Sequence, residues 1–436
     1  MRTAVKRFYG NPRYANIFEW GRLVTITGSA QMIVQAVGLI NGILIIRYLP
    51  TNQYALYTLA NMMLGTMILL ADGGITDGVL SQGGKVWQNP QKLGSVINTG
   101  LELRKKFTIV SLGIVIPVLF YLLHHHGASL LVAILIVVAL IPAFFAALSG
   151  TILEVGPKLH QDIKPLQKTQ VALNAGRFPL LVISLFLFPL AFVAVIISSL
   201  PQIWANTRLR KISRHYVDRS QAVDPKARKE ILKIVKRTLP GAIYYSFYGQ
   251  ISGWLISIFG STEGLAQVGA LSRLVMVLNV LSSLFGILIV PRFARLAENR
   301  KLLLKRFFQI EGFLILLSVF IIYIVTIFSG QLLFILGKQY ASFNTEIIII
   351  TASSCIAMVM GITYNISVSR GWVLPPVILI SGNVIVQVIL LYLMDLSKTQ
   401  NVLWFSVINN AVAFLMIFIY YIFRAFKSPV QAPTPI

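Results

Sequence analysis

Twelve apolar blocks of about 20 residues, separated by polar or basic loops, constrain this chain more than any other feature. They fall at 23–46, 52–71, 107–123, 128–150, 169–187, 189–207, 240–261, 267–290, 307–329, 345–365, 373–394 and 402–423. A helix needs about 20 apolar residues to cross a hydrocarbon core of about 30 Å. Pro189 divides the long apolar stretch 169–207 into a tight two-helix hairpin, because one helix of that length would exceed a bilayer. Only 12% of residues are charged, about half the share that a soluble domain carries on its surface. The expected fold is an all-α polytopic membrane protein, about 12 transmembrane helices in two six-helix bundles around a central cavity. The first block is too long for a signal-peptide core and lacks a small-residue cleavage site, so it reads as a retained first span.

The formal net charge is +24. In a soluble protein that imbalance would point to nucleic acid; here the placement of the charge excludes that partner. If the spans alternate in direction, one side of the membrane collects every lysine and arginine except five. Arg47, Lys338 and Lys398 fall on the other side, and Arg177 and Arg273 fall inside spans. Basic loops stay cytoplasmic, so both termini are expected in the cytoplasm. The longest hydrophilic stretch separates two groups of six spans. The expected units are an N-terminal bundle (1–207), a basic cytoplasmic linker (208–239), and a C-terminal bundle with a short tail (240–436). Each bundle opens with an unusually polar helix. Thr27, Gln31 and Gln35 recur every four residues in the first; Tyr244, Tyr245, Tyr248 and Ser252 share a face of the seventh, near Gln250. Lipid penalises such faces, which therefore belong in a bundle interior or a wet cavity. Same-topology halves are a known transporter plan.

Enzyme motifs are absent: the sequence has no phosphate-binding glycine loop and no metal-spaced Cys/His set. The run His124, His125 and His126 in a predicted outer loop reads as an exposed turn, and no metal or other cofactor is expected. Cys355 is the only cysteine, so no internal disulfide can form. The intramembrane arginines carry the most information, since a charge in a span usually faces a cavity or a partner. Arg273 lies about two turns into the eighth span, and Arg177 about two turns into the fifth, one turn after Asn174. Arg22 and Arg47 sit at the two ends of the first span, where interfacial anchoring competes with a substrate role. Asp72, Asp77 and Glu311 all fall near cytoplasmic ends, leaving no carboxylate near mid-span. A cavity with arginine and no acid suits an anion, and the forked guanidinium matches phosphate oxygens. The Gln and Tyr faces suit sugar hydroxyls and equally suit helix–helix hydrogen bonds.

The run Ile46-Arg47-Tyr48-Leu49-Pro50-Thr51-Asn52-Gln53-Tyr54-Ala55-Leu56-Tyr57 resembles the loop and second span of polysaccharide flippases. Asp72-Gly73-Gly74-Ile75 is similar to their following Asp-Leu-Gly-Leu. Val268-Gly269-Ala270-Leu271-Ser272-Arg273-Leu274, with Pro291 beyond it, resembles their eighth span. Pro50 and Ala55 stand where that family commonly has glycine. These O-antigen-type flippases share a superfamily with multidrug and toxic-compound exporters and lipid II flippases. The latter usually carry two further spans, and drug exporters usually carry a mid-membrane acid.

The resemblance implies a non-enzymatic transporter of a bacterial inner membrane. It would flip a polyprenyl-diphosphate-linked oligosaccharide from inner to outer leaflet by alternating access. On that reading Arg273, Arg177 and Arg22 hold the diphosphate or acidic sugars, while Gln31, Gln35, Tyr245 and Tyr248 contact hydroxyls. The implied partners are the lipid-linked substrate, membrane lipids and other polysaccharide-assembly proteins. Two other readings are a drug or metabolite exporter of the same superfamily and a scaffold of a polysaccharide-synthesis complex docking through 208–238. A membrane glycosyltransferase ranks last, for want of a catalytic carboxylate pair in an outer loop.

Overall fold

The computed structural model describes residues 12–427 apart from 295, 298, 371 and 373. Within helices, the side chains of residues 12–27, 30, 31, 237, 242, 245, 246, 283, 286–288, 291 and 294 fall outside that description. The described residues form helices and no strands. Helix α1 (Pro12–Tyr48) stops two residues before Pro50, whose fixed φ and missing N–H start α2 (Thr51–Asp72) afresh. At the far end of α2, Gly73 and Gly74 both take positive φ, +49° and +88°, a turn that a β-carbon would strain. The short α3 (Ile75–Gly83) follows, then α4 (Pro90–His125), α5 (Leu130–Leu153), the one-turn α6 (Val155–Leu159), α7 (Ile163–Leu187) and α8 (Ala191–Ser213). Pro189 lies in the α7–α8 connection, and the predicted hairpin is present.

The second half comprises α9 (Pro225–Gly249), α10 (Ile251–Phe259), α11 (Thr262–Val275), α12 (Val277–Ala294), α13 (Arg300–Ile327), the short α14 (Ser329–Leu336), α15 (Asn344–Ser369), α16 (Pro376–Leu393) and α17 (Thr399–Phe426). Short polar side chains define several of the starts. Asn89 Oδ1 accepts from the Gln91 and Lys92 amides, both at 3.0 Å, and Ser261 Oγ accepts from the Gly264 amide at 3.0 Å.

All twelve predicted spans are helical, two of them differently from expectation. The seventh is broken at Gly249–Gln250, and its first helix continues back through the basic segment to Pro225. The eighth is interrupted at Met276. Among the described residues, nine helices are long and apolar enough to cross a membrane. The predicted first, sixth and seventh spans fall outside that set. The described apolar part of the first, Met32–Tyr48, is short by itself; Pro201, Gln202 and Asn206 dilute the apolar character of α8, and the seventh is split between the basic α9 and the nine-residue α10. The outward faces are oily: Leu316 on α13 and Val377 on α16 are 71% and 74% exposed, as a lipid-facing surface requires.

The start of α1, the end of α17 and the basic loops lie at one end of the bundle, here called the basic face. At the opposite face one buried core runs across both halves, joining Ile46, Leu56 and Met63 to Leu271, Leu333 and Leu403. At the basic face the cores separate. One gathers Ile75, Val79, Leu103 and Ile231; the other gathers Phe293, Phe307, Ile362 and Tyr421. The first half of α9 belongs by packing with the first of these, against α3 and α4. The segment before it is tied to α4 as well. Ser95 Oγ donates to Ala222 O at 2.6 Å, Asn98 Nδ2 donates to Gln221 O at 2.7 Å, and the Asp224 amide donates to Thr99 Oγ1 at 2.9 Å. The hydrophilic connector is therefore a docked, amphipathic element whose apolar stripe, Ala227, Ile231 and Val235, is buried.

Candidate functional site

Two adjoining cavities of about 350 and 360 Å³ lie where the seventh and eighth spans break, and they share Gly249, Ser252 and Ser272 in their walls. Unwound backbone at membrane depth is tolerated where it lines a cavity, because water or ligand can satisfy the freed groups. Both breaks meet this condition: Gly249, Gln250 and Met276 all line the first cavity.

The first cavity lies between the halves. Thr58, Asn61 and Met62 of α2 face Leu265, Gly269 and Arg273 of α11. Glycines let the halves meet beside it. A β-carbon on Gly269 would sit 2.6 Å from Thr58 Oγ1, and one on Gly253 would sit 2.7 Å from Met62 Sδ. Arg273 leans across to the first half, where a β-carbon on Gly42 would lie 3.2 Å from its Cδ. Its Nη1 is 3.8 Å from Met276 Sδ, and the guanidinium lies beside the hydroxyls of Tyr54 and Tyr57.

Arg177 of α7 approaches the same place, within electrostatic reach of Tyr57 and Arg273. Its Nε is buried without a hydrogen-bond partner. Neither arginine forms an ion pair with a described carboxylate. Both side chains are half-buried, and two like charges this close favour water or an anion beside them.

The second cavity lies inside the second half and is walled by hydroxyls and amides. Tyr248 donates to Asn410 Oδ1 at 3.0 Å and to Asn409 O at 3.3 Å. Asn410 Nδ2 donates to Ser353 Oγ at 3.0 Å, and the Ser252 and Ser406 hydroxyls are 2.6 Å apart. Gln387 Nε2 reaches Asn409 Oδ1 at 3.2 Å. No charged side chain lines this chamber among the described residues.

The sequence-derived site residues are distributed unevenly over this arrangement. Arg273 and Arg177 come together, and Tyr248 lines the second chamber, where it also makes helix–helix hydrogen bonds. Gln35 is half-buried on α1 and does not line either cavity. The side chains of Arg22, Gln31 and Tyr245 lie outside the described residues. Arg47 makes a different contact from lipid anchoring. It crosses to the other half at the opposite face, where Nε donates to Ile335 O at 2.8 Å and Nη2 to Phe334 O at 2.9 Å. Those carbonyls end α14, so the cation also meets the negative pole of that helix.

The histidine run is not a uniformly exposed turn, because His126 is buried. Its ring nitrogens lie 3.1 Å from Ser257 O and 3.1 Å from Thr262 Oγ1, again across the halves. Burial holds its pKa below the ordinary imidazole value, opposed in part by the bond to Ser257 O. The acids are engaged away from the cavities. Asp72 pairs with the buried Arg104, and Glu311 accepts from Thr363 Oγ1 at 2.7 Å.

Sequence reading missed Ser353, Ser406, Asn409 and Asn410. The adjacent asparagines in an otherwise apolar span were the available signal, together with the Ser/Thr content of the tenth span.

Neither a protein-family model nor a curated protein matches the chain by sequence. Solved structures do match in fold. An inward-facing multidrug resistance MATE family transporter of the MOP superfamily superposes with a TM-score of 0.67 at 14% identity, covering 90% of this chain and 94% of that one. An outward-facing structure of such a transporter gives 0.63 at 14% identity, covering 93% and 95%. A MOP superfamily transporter from Pyrococcus furiosus, described as having a binding pocket of reverse polarity that suggests a different function, gives 0.62 at 15% identity, covering 93% and 95%. The chain is a multi-pass membrane protein with the fold of these MATE transporters.

Proposed function

We propose that this protein is a transporter that flips a polyprenyl-diphosphate-linked oligosaccharide from the cytoplasmic to the outer leaflet of a bacterial inner membrane. The observation that carries this reading is the juxtaposition of Arg273 and Arg177, unpaired with any described carboxylate, beside a chamber walled by Tyr248, Ser353, Asn409 and Asn410. The arginines suit the diphosphate or acidic sugars, and the chamber suits sugar hydroxyls. The lipid tail would remain in the bilayer.

The two bundles, 1–207 and 240–436, would rock about the cavity, with 208–239 riding on the first. With the basic face taken as cytoplasmic, fusion of the cores at the far face makes this the inward-facing form. The somewhat better superposition on the inward-facing neighbour supports that assignment. An inside-negative potential favours outward passage of a diphosphate by about 2.3 kcal/mol per charge per 100 mV. Vesicle transport that is unchanged after the potential is collapsed would remove this driving force from the account.

A drug or metabolite exporter is the second reading, supported by the multidrug resistance class of the inward-facing neighbour. The pocket of reverse polarity described for the Pyrococcus furiosus neighbour supports a wider range of substrates on this fold. Flipping of a fluorescent polyprenyl-diphosphate oligosaccharide in proteoliposomes separates the two. Wild-type flipping that drops at least tenfold in a folded Arg273→Ala protein is expected. Well-folded wild type that moves organic cations and no such lipid would favour the exporter.

A further inference from the structure

A third cavity, of about 650 Å³, lies away from the site above and shares no residue with it. It is a groove on the outer surface of the second half, between α12 and α13. Among the described residues both helices pack on α15 but scarcely on each other, which leaves a cleft between them. Its mouth is at the basic face and carries Arg292, in the last turn of α12, and Arg306, in the second turn of α13. Both side chains are exposed, and Arg306 is steadied by Nη1 donating to Gln309 Oε1 at 3.1 Å.

Below the arginines the walls are apolar: Ile289 and Phe285 on one side, Ile310 and Phe313 on the other. Phe285 and Phe313 each stand seven residues from their arginine, which places them about 10 Å deeper along the helix axes. Their rings meet edge to face, with centroids 6.0 Å apart, and close the deep end of the groove. Beyond α12, Arg370 Nη1 donates to Leu296 O at 2.8 Å.

A single arginine at this depth could serve only to anchor its helix at the headgroups. Two arginines at the mouth of one apolar slot match a phosphate with a hydrocarbon chain attached. Guanidinium forks fit phosphate oxygens, and basic pockets between spanning helices recruit anionic headgroups. We propose that this groove holds an anionic glycerophospholipid of the surrounding bilayer. Its phosphate sits on Arg292 and Arg306, and one acyl chain runs between Phe285, Ile289, Ile310 and Phe313. A free phosphate would leave the apolar walls without a partner, and a zwitterionic lipid would bring a third positive charge, on its headgroup, beside the two arginines. The assignment is independent of what the central cavity carries.

Native mass spectrometry of the full chain, released from detergent with added lipid, tests it. Phosphatidylglycerol should be retained about tenfold more strongly than phosphatidylcholine. Millimolar inorganic phosphate should not displace it, and R292Q/R306Q should lose one bound equivalent while R292K/R306K keeps part of the preference. Equal retention of the two lipids overturns the proposal, as does full retention by R292Q/R306Q. Displacement by inorganic phosphate alone would make this a free-anion site and overturn the lipid. Wild-type protein settles the location without any variant. Phosphatidylglycerol with a photoreactive acyl chain should label peptides of α12 and α13, and labelling confined to other helices would place the lipid elsewhere and sink the idea.

Discussion

The two ends of this bundle are built differently. At the opposite face the halves share one core, drawn together by glycines and bridged by Arg47 and His126. At the basic face each half has its own core, and the connector is docked on the first half alone. The seam at the opposite face combines close apolar contact with a few polar bonds, each individually small, so the halves can part there in steps. The docked connector is held by many backbone-directed bonds and a buried apolar stripe, so it should move with the first half as one body.

The strongest way to break this contrast is Gly94→Ala. A β-carbon on Gly94 would lie 1.7 Å from Asp218 O and 2.7 Å from its carbonyl carbon. Backbone cannot yield as a side-chain tip can. The segment 218–224 would have to lift from α4, losing the bonds from Ser95 and Asn98. The expected cost is about 3 kcal/mol, at the upper end for overpacking, read as a fall in melting temperature. An unchanged melting temperature would mean that the connector is not docked as described. At the seam, Gly269→Val should cost about 2 kcal/mol in the closed form, because its β-carbon meets Thr58 Oγ1 at 2.6 Å. Here the halves can separate to relieve the clash. The expected readout is a longer spin-label distance between α2 and α11 with little loss of folded protein, whereas an unchanged distance would contradict the seam.

Much of this architecture was legible in the sequence, because apolar length and the sidedness of basic residues are properties of single segments. The Pro189 hairpin is such a case. The breaks at Gly249–Gln250 and Met276 were not legible, since they depend on what each helix faces, and a glycine between two polar residues occurs in intact helices too. Arg273 could be found because a charge in a span has few tolerable surroundings. Asn409 and Ser353 could not, because an asparagine or serine in a span is compatible with many hydrogen-bonded packings. Arg47 looked like an interfacial anchor, and only the fold brings the end of α14 beside it.

Arg47→Ala removes two charge-assisted bonds to the carbonyls that end α14. Since the side chain is exposed, the expected loss is about 1 kcal/mol. That is too small to unfold the protein and large enough to shift a balanced open–closed equilibrium severalfold. Spin labels on the outer ends of α1 and α14 should show a larger distant population in the variant. Identical distributions would mean that the contact contributes nothing to closure.

The smallest effect expected is a pH dependence centred on His126. Its Nε2 faces the Ser257 carbonyl and is therefore a donor, so the other nitrogen is free to accept from Thr262 Oγ1 only while the ring is neutral. Burial lowers its pKa in the closed form, and the neighbouring His125 acts in the same direction. When the halves separate at this face the ring is hydrated, and its pKa returns toward the ordinary value of about 6.5. The open form then binds the proton more tightly. Closure at this face is consequently at full strength above about pH 6.5 and weakens as the pH falls below it. Label pairs bridging the α4–α5 and α10–α11 loops should report more separation at pH 5 than at pH 8. In His126→Gln, which keeps hydrogen-bonding capacity without the titration, that difference should disappear. A difference that persists in His126→Gln would move the titrating group elsewhere and leave His126 as packing alone.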